Sequence, residues 1–344
     1  FESSIFAGNI MKPLSHQQRL HQVNTGQLFD NYRSAVSHAA SYQYGMRWKN
    51  VNGKDYLLRL TSASGNSRSL GPRTPETEQI FQQFQDGKAL VEEKYQSLKV
   101  KLDSQRKLNR AVRLGRMPSI IGEILLRLDQ AQALSELRVV GTHAIFAYES
   151  MAAVELKMEL LASGDIDLLF DVRKQVSLLA KKLDGEGLLG LLKKVDKTFE
   201  ISSGEGFRAI NKDGFMVDLI GQDKGMFAPK PQLLAQGDLE IMEVPNLEWL
   251  ANAPRIEQVV IAANGSAVIM PVPDPRAFAI HKAWLSHQIN REPVKKQRDL
   301  NQALMVMNLV REYLPNLAID ERAMRYFPKA VIEESILDLR IGPK

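Results

Sequence analysis

At 344 residues the chain is long enough for two or three domains, each burying its own core. Its 44% apolar and 25% charged residues exclude a disordered or collagen-like polymer, and the absence of cysteine excludes disulfides and cysteine zinc sites. A net charge of +5 permits an anionic partner such as nucleic acid without requiring one. No apolar run reaches the length needed to span a bilayer, so no membrane partner is expected. The opening Phe-Glu-Ser-Ser-Ile-Phe lacks the basic and apolar regions of a signal peptide, which makes the cytoplasm the default expectation. Phe1 is not an initiator, so a preceding segment is expected.

Residues 1–130 read as a mainly helical N-terminal region. Leu28, Phe29, Tyr32 and Val36 share one helix face. A β-hairpin is expected near 46–60, where Asn52-Gly53 joins two strand-like runs carrying Arg47, Trp48, Lys49, Lys54 and Arg59. That ribbon either stacks a base and holds a phosphate or is a small packed unit. Residues 61–73 read as a polar loop whose Arg68 and Arg73 offer an anion site or belong to a linker. Thr74 then caps a helix with Pro75 in its first turn. Ile80, Phe81, Phe84, Leu90, Val91, Leu98 and Leu102 carry that helix toward Leu114, and Arg106, Lys107, Arg110, Arg113 and Arg116 make its far end basic. Pro118 ends it, and Ser119 to Leu128 forms another amphipathic helix.

Residues 131–225 carry the candidate chemistry. Leu137 to Val140 is a strand, and Gly141-Thr142 opens a helix running to about Val154. Ile166 to Phe170 is the next strand, headed by Asp165-Ile166-Asp167. Alternation puts both carboxylates on one face, about 7 Å apart, while Ile166 and Leu168 face the core. Helices are expected over Val172–Leu183 and Leu188–Val195. Gly206 to Ile210, the turn Asn211-Lys-Asp-Gly214 and the strand Phe215 to Ile220 form a hairpin that carries Asp218 among apolar neighbours. A carboxylate there needs a metal or a cationic partner. His143 reads as a capping or packing residue. Three carboxylates on adjacent strands behind a glycine turn suit divalent cations and a nucleoside triphosphate.

Residues 226–344 read as a mostly helical C-terminal lobe. Its β-hairpin lies near 257–271 and turns at Asn264-Gly265. A helix beginning near Pro273 carries Lys282, and a second opens at Lys295 with Lys296, Arg298 and Asp299. One or two helices over Ile319–Ile341 expose Glu333, Glu334, Asp338 and Arg340.

Gly141-Thr142, Asp165-x-Asp167 and Asp218 on a later strand together resemble the DNA polymerase beta-like nucleotidyltransferase superfamily. Thr142 stands where that pattern has Gly or Ser, and the spacing from the glycine to the Asp pair is longer. The run from Val140 to Glu149, with Ser69 to Glu78 upstream, looks like a bacterial family of nucleotidyltransferase-fold proteins. The resemblance implies an α+β fold, with a mixed sheet flanked by helices as the core and helical regions at both ends. It implies Asp165, Asp167 and Asp218 as ligands of Mg²⁺ or Mn²⁺ and as the catalytic residues, with an NTP as substrate. Gly141 and Thr142 would bind phosphate oxygens, and Lys282 or Arg298 would stabilise departing pyrophosphate. The acceptor would be a hydroxyl of RNA, protein or a small molecule. Two other readings are a catalytically silent nucleotide- or nucleic-acid-binding regulatory module, and a toxin-type transferase acting on tRNA or protein with a partner protein. Oligomeric state has no signature in the sequence.

Overall fold

The computed structural model describes residues 11–174, 176–183, 185–223, 236–320 and 324–339. The chain forms two compact units, one spanning Leu20–Ala111 and the other joining the described residues up to Arg19 with those from Val112 onward. It opens with β1 (Met11–Pro13) and α1 (His16–Ser41). Ser15 and Gln18 start α1 reciprocally: the Gln18 amide N–H donates to Ser15 Oγ at 3.2 Å and the Ser15 amide to Gln18 Oε1 at 3.0 Å.

The Leu20–Ala111 unit consists of most of α1, a three-stranded antiparallel sheet and one long helix. The strands are β2 (Met46–Val51), β3 (Lys54–Leu60) and β4 (Ser67–Pro72), in that spatial order. Asn52 and Gly53 turn β2 into β3 with φ of 51° and 79°, the paired positive values of the tight hairpin turn that this dipeptide favours. The expected loop over 61–73 is shorter, because residues 67–72 pair with β3 as a third strand. Arg73, offered by the sequence as an anion ligand, is engaged by Glu78 at 2.7 Å and Asp55 at 3.4 Å. Helix α2 (Pro75–Ala111) starts as expected, with the Thr77 amide donating to Thr74 Oγ1 at 3.3 Å. Trp48 packs on Phe81, and the Arg73 guanidinium covers its ring, so this face of the hairpin is a packed ribbon.

The second unit begins again with α3 (Ser119–Gln130). Ile121, Ile124, Leu125 and Leu128, spaced by three and four, are all fully buried. Next come β5 (Leu137–Val140), a 3-10 turn over Thr142–Ala144, α4 (Ile145–Ala152) and β6 (Val154–Leu156). The helix expected to reach Val154 is cut short at Ala153, whose φ of 51° turns the chain into β6. Strand β6 pairs with β1, a pairing for which the sequence gives no signal. Strand β7 (Asp165–Phe170) is followed by α5 (Val176–Lys182) and α6 (Gly187–Val195). Helix α5 starts later than expected because Asp171 binds the backbone and guanidinium of Arg173 and forms a turn instead.

Strands β8 (Glu200–Ser202), β9 (Glu205–Ile210) and β10 (Met216–Gln222) complete the mixed sheet in the order β5-β7-β10-β9-β8, with β11 (Met242–Val244) beside β10. Strand β10 runs parallel to β7 and β11 and antiparallel to β9, while β5 is antiparallel to β7. Ile166, Leu168, Leu169 and Phe170 are all buried, as an interior strand between parallel and antiparallel neighbours requires. Helix α7 (Glu248–Asn252) leads to the hairpin β12 (Arg255–Ile261) and β13 (Ala267–Pro273). Then α8 (Pro275–His287) is capped by Asp274, whose carboxylate accepts the Arg276 amide at 2.8 Å, and α9 (Pro293–Tyr313) packs along it. The last described helix is α10 (Lys329–Asp338); Arg340 lies outside the described residues. The architecture is the α+β one implied by the sequence, a mixed sheet flanked by helices with a helical region before it. No described helix is long and apolar enough to cross a membrane.

Candidate active site

Asp165 and Asp167 leave the same face of β7, and parallel pairing sets Asp218 of β10 directly beside Asp167. Each carboxylate offers an oxygen, and the three oxygens lie within 4.8 Å of one another. Asp218 is buried, while Asp165 and Asp167 are half-buried. Burial pushes the Asp167 carboxyl up to about 7, and the like charges of Asp165 and Asp218 add to the shift. A cation among the three would relieve that repulsion. Three hard oxygen donors suit Mg²⁺ or Mn²⁺ better than a metal that prefers sulfur or nitrogen, so the donor set fits the ion implied by the sequence. Ser163 donates its hydroxyl to Asp165 Oδ1 and fixes that carboxylate from the strand's entry.

Asp218 has the cationic partner that its apolar neighbours demanded. Arg208 on β9 lies opposite it and donates through Nε to Oδ1 and through Nη2 to Oδ2, both at 2.7 Å. The third guanidinium nitrogen reaches Glu205 at 2.8 Å. This two-pronged bond orients the carboxylate plane. The sequence reading missed Arg208, although the turn at 211–214 sets a hairpin register that places it across from Asp218.

Gly141 follows β5, whose Val140 pairs with Asp167. Its φ is +64°, and a Cβ there would come within 2.1 Å of Asp167 Oδ2. Only glycine satisfies both the conformation and the approach. Thr142 is buried, and its Oγ1 accepts from Arg298 Nη2 at 3.1 Å and Gln302 Nε2 at 3.2 Å, both from α9. Gln302 Nε2 also donates to the Leu160 carbonyl at 2.8 Å, which settles which end of the amide faces Thr142. Both hydroxyl lone pairs are therefore taken, and the Thr142 proton is the one valence left to donate.

Lys282 is buried, near enough to Asp167 for its charge to act on that carboxyl. Its ammonium lies 2.6 Å from Asp299 Oδ1, while Arg291 holds the other oxygen of Asp299 at 2.8 Å. Burial lowers the Lys282 ammonium from its ordinary value, and Asp299 opposes the shift. The lysine also lowers the Asp167 carboxyl through its charge. Asp299 is thus an interior anchor for two cations. His143 is buried between Phe146 and Phe215; burial lowers it to about 4, so it is neutral at pH 7. That is the packing role expected for it. The predicted residues are brought together as two linked groups: the three aspartates with Gly141, and Thr142 with Arg298.

The fold and the site define a class, an α+β protein in which three carboxylates that could hold a cation lie beside a glycine turn, with cationic side chains nearby, an arrangement suited to phosphate chemistry. A family model described as nucleotidyltransferase matches residues 119–327, and the chain belongs to that nucleotidyltransferase family. No curated protein and no solved structure matches the chain.

Proposed function

We propose that the protein moves a nucleoside monophosphate from an NTP to a hydroxyl of RNA, protein or a small molecule, and that Asp165, Asp167 and Asp218 are the catalytic carboxylates. The observation that carries this reading is the convergence of three carboxylate oxygens within 4.8 Å beside a turn that admits only glycine. The aspartates would hold Mg²⁺ or Mn²⁺, which when bound would supply charge neutralisation and make an acceptor hydroxyl more acidic. The acceptor oxygen bonds to the α-phosphorus as the bond from that phosphorus to the bridging oxygen breaks, and pyrophosphate leaves with that oxygen. Asp218, kept in orientation by Arg208, takes up the hydroxyl proton. The Gly141 turn and the Thr142 hydroxyl donate to phosphate oxygens. Lys282 stabilises the developing negative charge through its nearby positive charge, and Arg298 acts through Thr142.

The Arg208 fork occupies both oxygens of Asp218, and this favours a second reading, a catalytically silent nucleotide-binding module. The two separate on incubation with each α-labelled NTP, Mg²⁺ or Mn²⁺ and a bacterial extract of RNA and protein. Label in a macromolecule that is absent with Asp165→Ala/Asp167→Ala supports transfer, and a toxin-type activity would appear as labelled tRNA or protein. Cation-dependent nucleotide binding without label supports the silent module.

A further inference from the structure

We propose that the open face of the β2–β4 sheet binds single-stranded nucleic acid. The charge of the chain is strongly segregated. Residues 20–111 hold fourteen lysines and arginines against eight aspartates and glutamates, a net +6, whereas the rest of the chain holds thirty-one against thirty-two, a net −1. Within that unit the sheet segment 46–72 has five cations and one acid, a net +4. Its acid, Asp55, is engaged by Arg73 and by Asn50.

The two faces of the sheet differ. One bears Trp48 and the fully buried Leu57, packed with Phe81 and Arg73 as described, and Arg59 lies over Phe84. Alternation sends Arg47 and Lys49 to the other face, where Arg47 pairs across β3 with Leu58 and Lys49 with Tyr56. Arg47, Lys49 and Lys54 are exposed, and Tyr56 and Leu58 are half-buried beside them. A row of cations two residues apart along an edge strand, bordering an aromatic ring on an open sheet, offers phosphates a charge track and bases a stacking surface. A duplex would present its phosphates but not its base faces to Tyr56, so the chemistry selects a single strand. This unit lies outside the matched segment 119–327, and the inference is independent of the aspartate site.

The test is fluorescence anisotropy of an end-labelled, mixed-sequence 20-nucleotide RNA with the full chain, without NTP or divalent cation, from low to moderate salt. The expected result is binding that weakens with salt. Arg47→Glu/Lys49→Glu should weaken it at least about tenfold and flatten the salt dependence, and Arg47→Gln/Lys49→Gln should do so to a smaller degree. Tyr56→Ala should lower affinity roughly tenfold and leave the salt dependence unchanged. Lys193→Glu/Lys194→Glu, on α6, should match the parent. Absence of RNA binding at low salt would overturn the proposal, as would parental affinity in both Arg47/Lys49 variants. Capture of anionic lipid vesicles in preference to RNA would also overturn it. None of these outcomes bears on nucleotidyl transfer, which is read with NTP and cation present.

Discussion

Gly141 meets two demands at one position, a left-handed backbone and a close approach to Asp167. Gly141→Ala should abolish transfer and weaken Mn²⁺ binding measured by calorimetry, because the added methyl drives Asp167 away from its partners. Removal of Arg208 attacks the site from the other side. Arg208→Met leaves Asp218 buried without its partner and should cost about 3 kcal/mol in denaturant unfolding, with Arg208→Lys recovering only part. Thr142 makes a finer prediction. With both lone pairs filled by Arg298 and Gln302, its hydroxyl can only donate, so Thr142→Ser should keep nucleotide affinity and Thr142→Val should lose it. Gln302→Glu puts an acceptor where a donor stood and draws the Thr142 proton inward. It should therefore lower nucleotide affinity more than Gln302→Leu, and a packing role alone would give the reverse order in a titration. At this scale the sequence showed the three aspartates and Gly141, because acids within apolar strands are costly unless a cation meets them, and a glycine at a strand end marks a turn that other residues resist. It did not show that Lys282 is buried, since a helical lysine is ordinarily solvated and its partner Asp299 lies seventeen positions away.

Elements hold the site through a few side chains at their ends. Asp238, buried, accepts the Leu188 and Leu189 amides at 2.8 Å each and caps α6, so Asp238→Ala should cost about 1–2 kcal/mol in thermal or denaturant unfolding. Glu136, just before β5, is clamped by Lys182 of α5 at 2.6 Å and by Lys174 at 2.9 Å. Burial alone would raise its carboxyl, but hydrogen bonds from Lys182, Lys174 and Ser135 outweigh it and hold it at about 2, below its ordinary 4.5. A depressed carboxylate stabilises the fold above its ordinary value and loses that contribution as pH falls through the folded value. Glu136→Gln should thus lower stability at pH 7 by roughly 1 kcal/mol, allowing for the partly exposed lysines, and the gap should close as the pH falls from 4.5 toward 2. Strands and helices with a clear period or cap were legible: α3, the turn at 52–53 and the start of α2 all follow from local chemistry. The pairs β1–β6 and β10–β11 were not, because three-residue strands carry too little alternation and their partners lie far away in the chain.

At the scale of the whole molecule, a nearly neutral unit built around the aspartates is joined to a small unit that carries the excess positive charge. The +5 of the chain is therefore a property of residues 20–111 rather than of the aspartate site, a distinction that composition averages away. The central claim is that the three aspartates support nucleotidyl transfer and not another phosphate reaction. The direct measurement is a paired assay with the preferred NTP labelled on either the α- or the γ-phosphate, with wild type and Asp165→Ala/Asp167→Ala. The account predicts α-label in the acceptor, γ-label only in released pyrophosphate, and neither product from the variant. Transfer of γ-label to the acceptor, or α-transfer that survives loss of both aspartates, would contradict it.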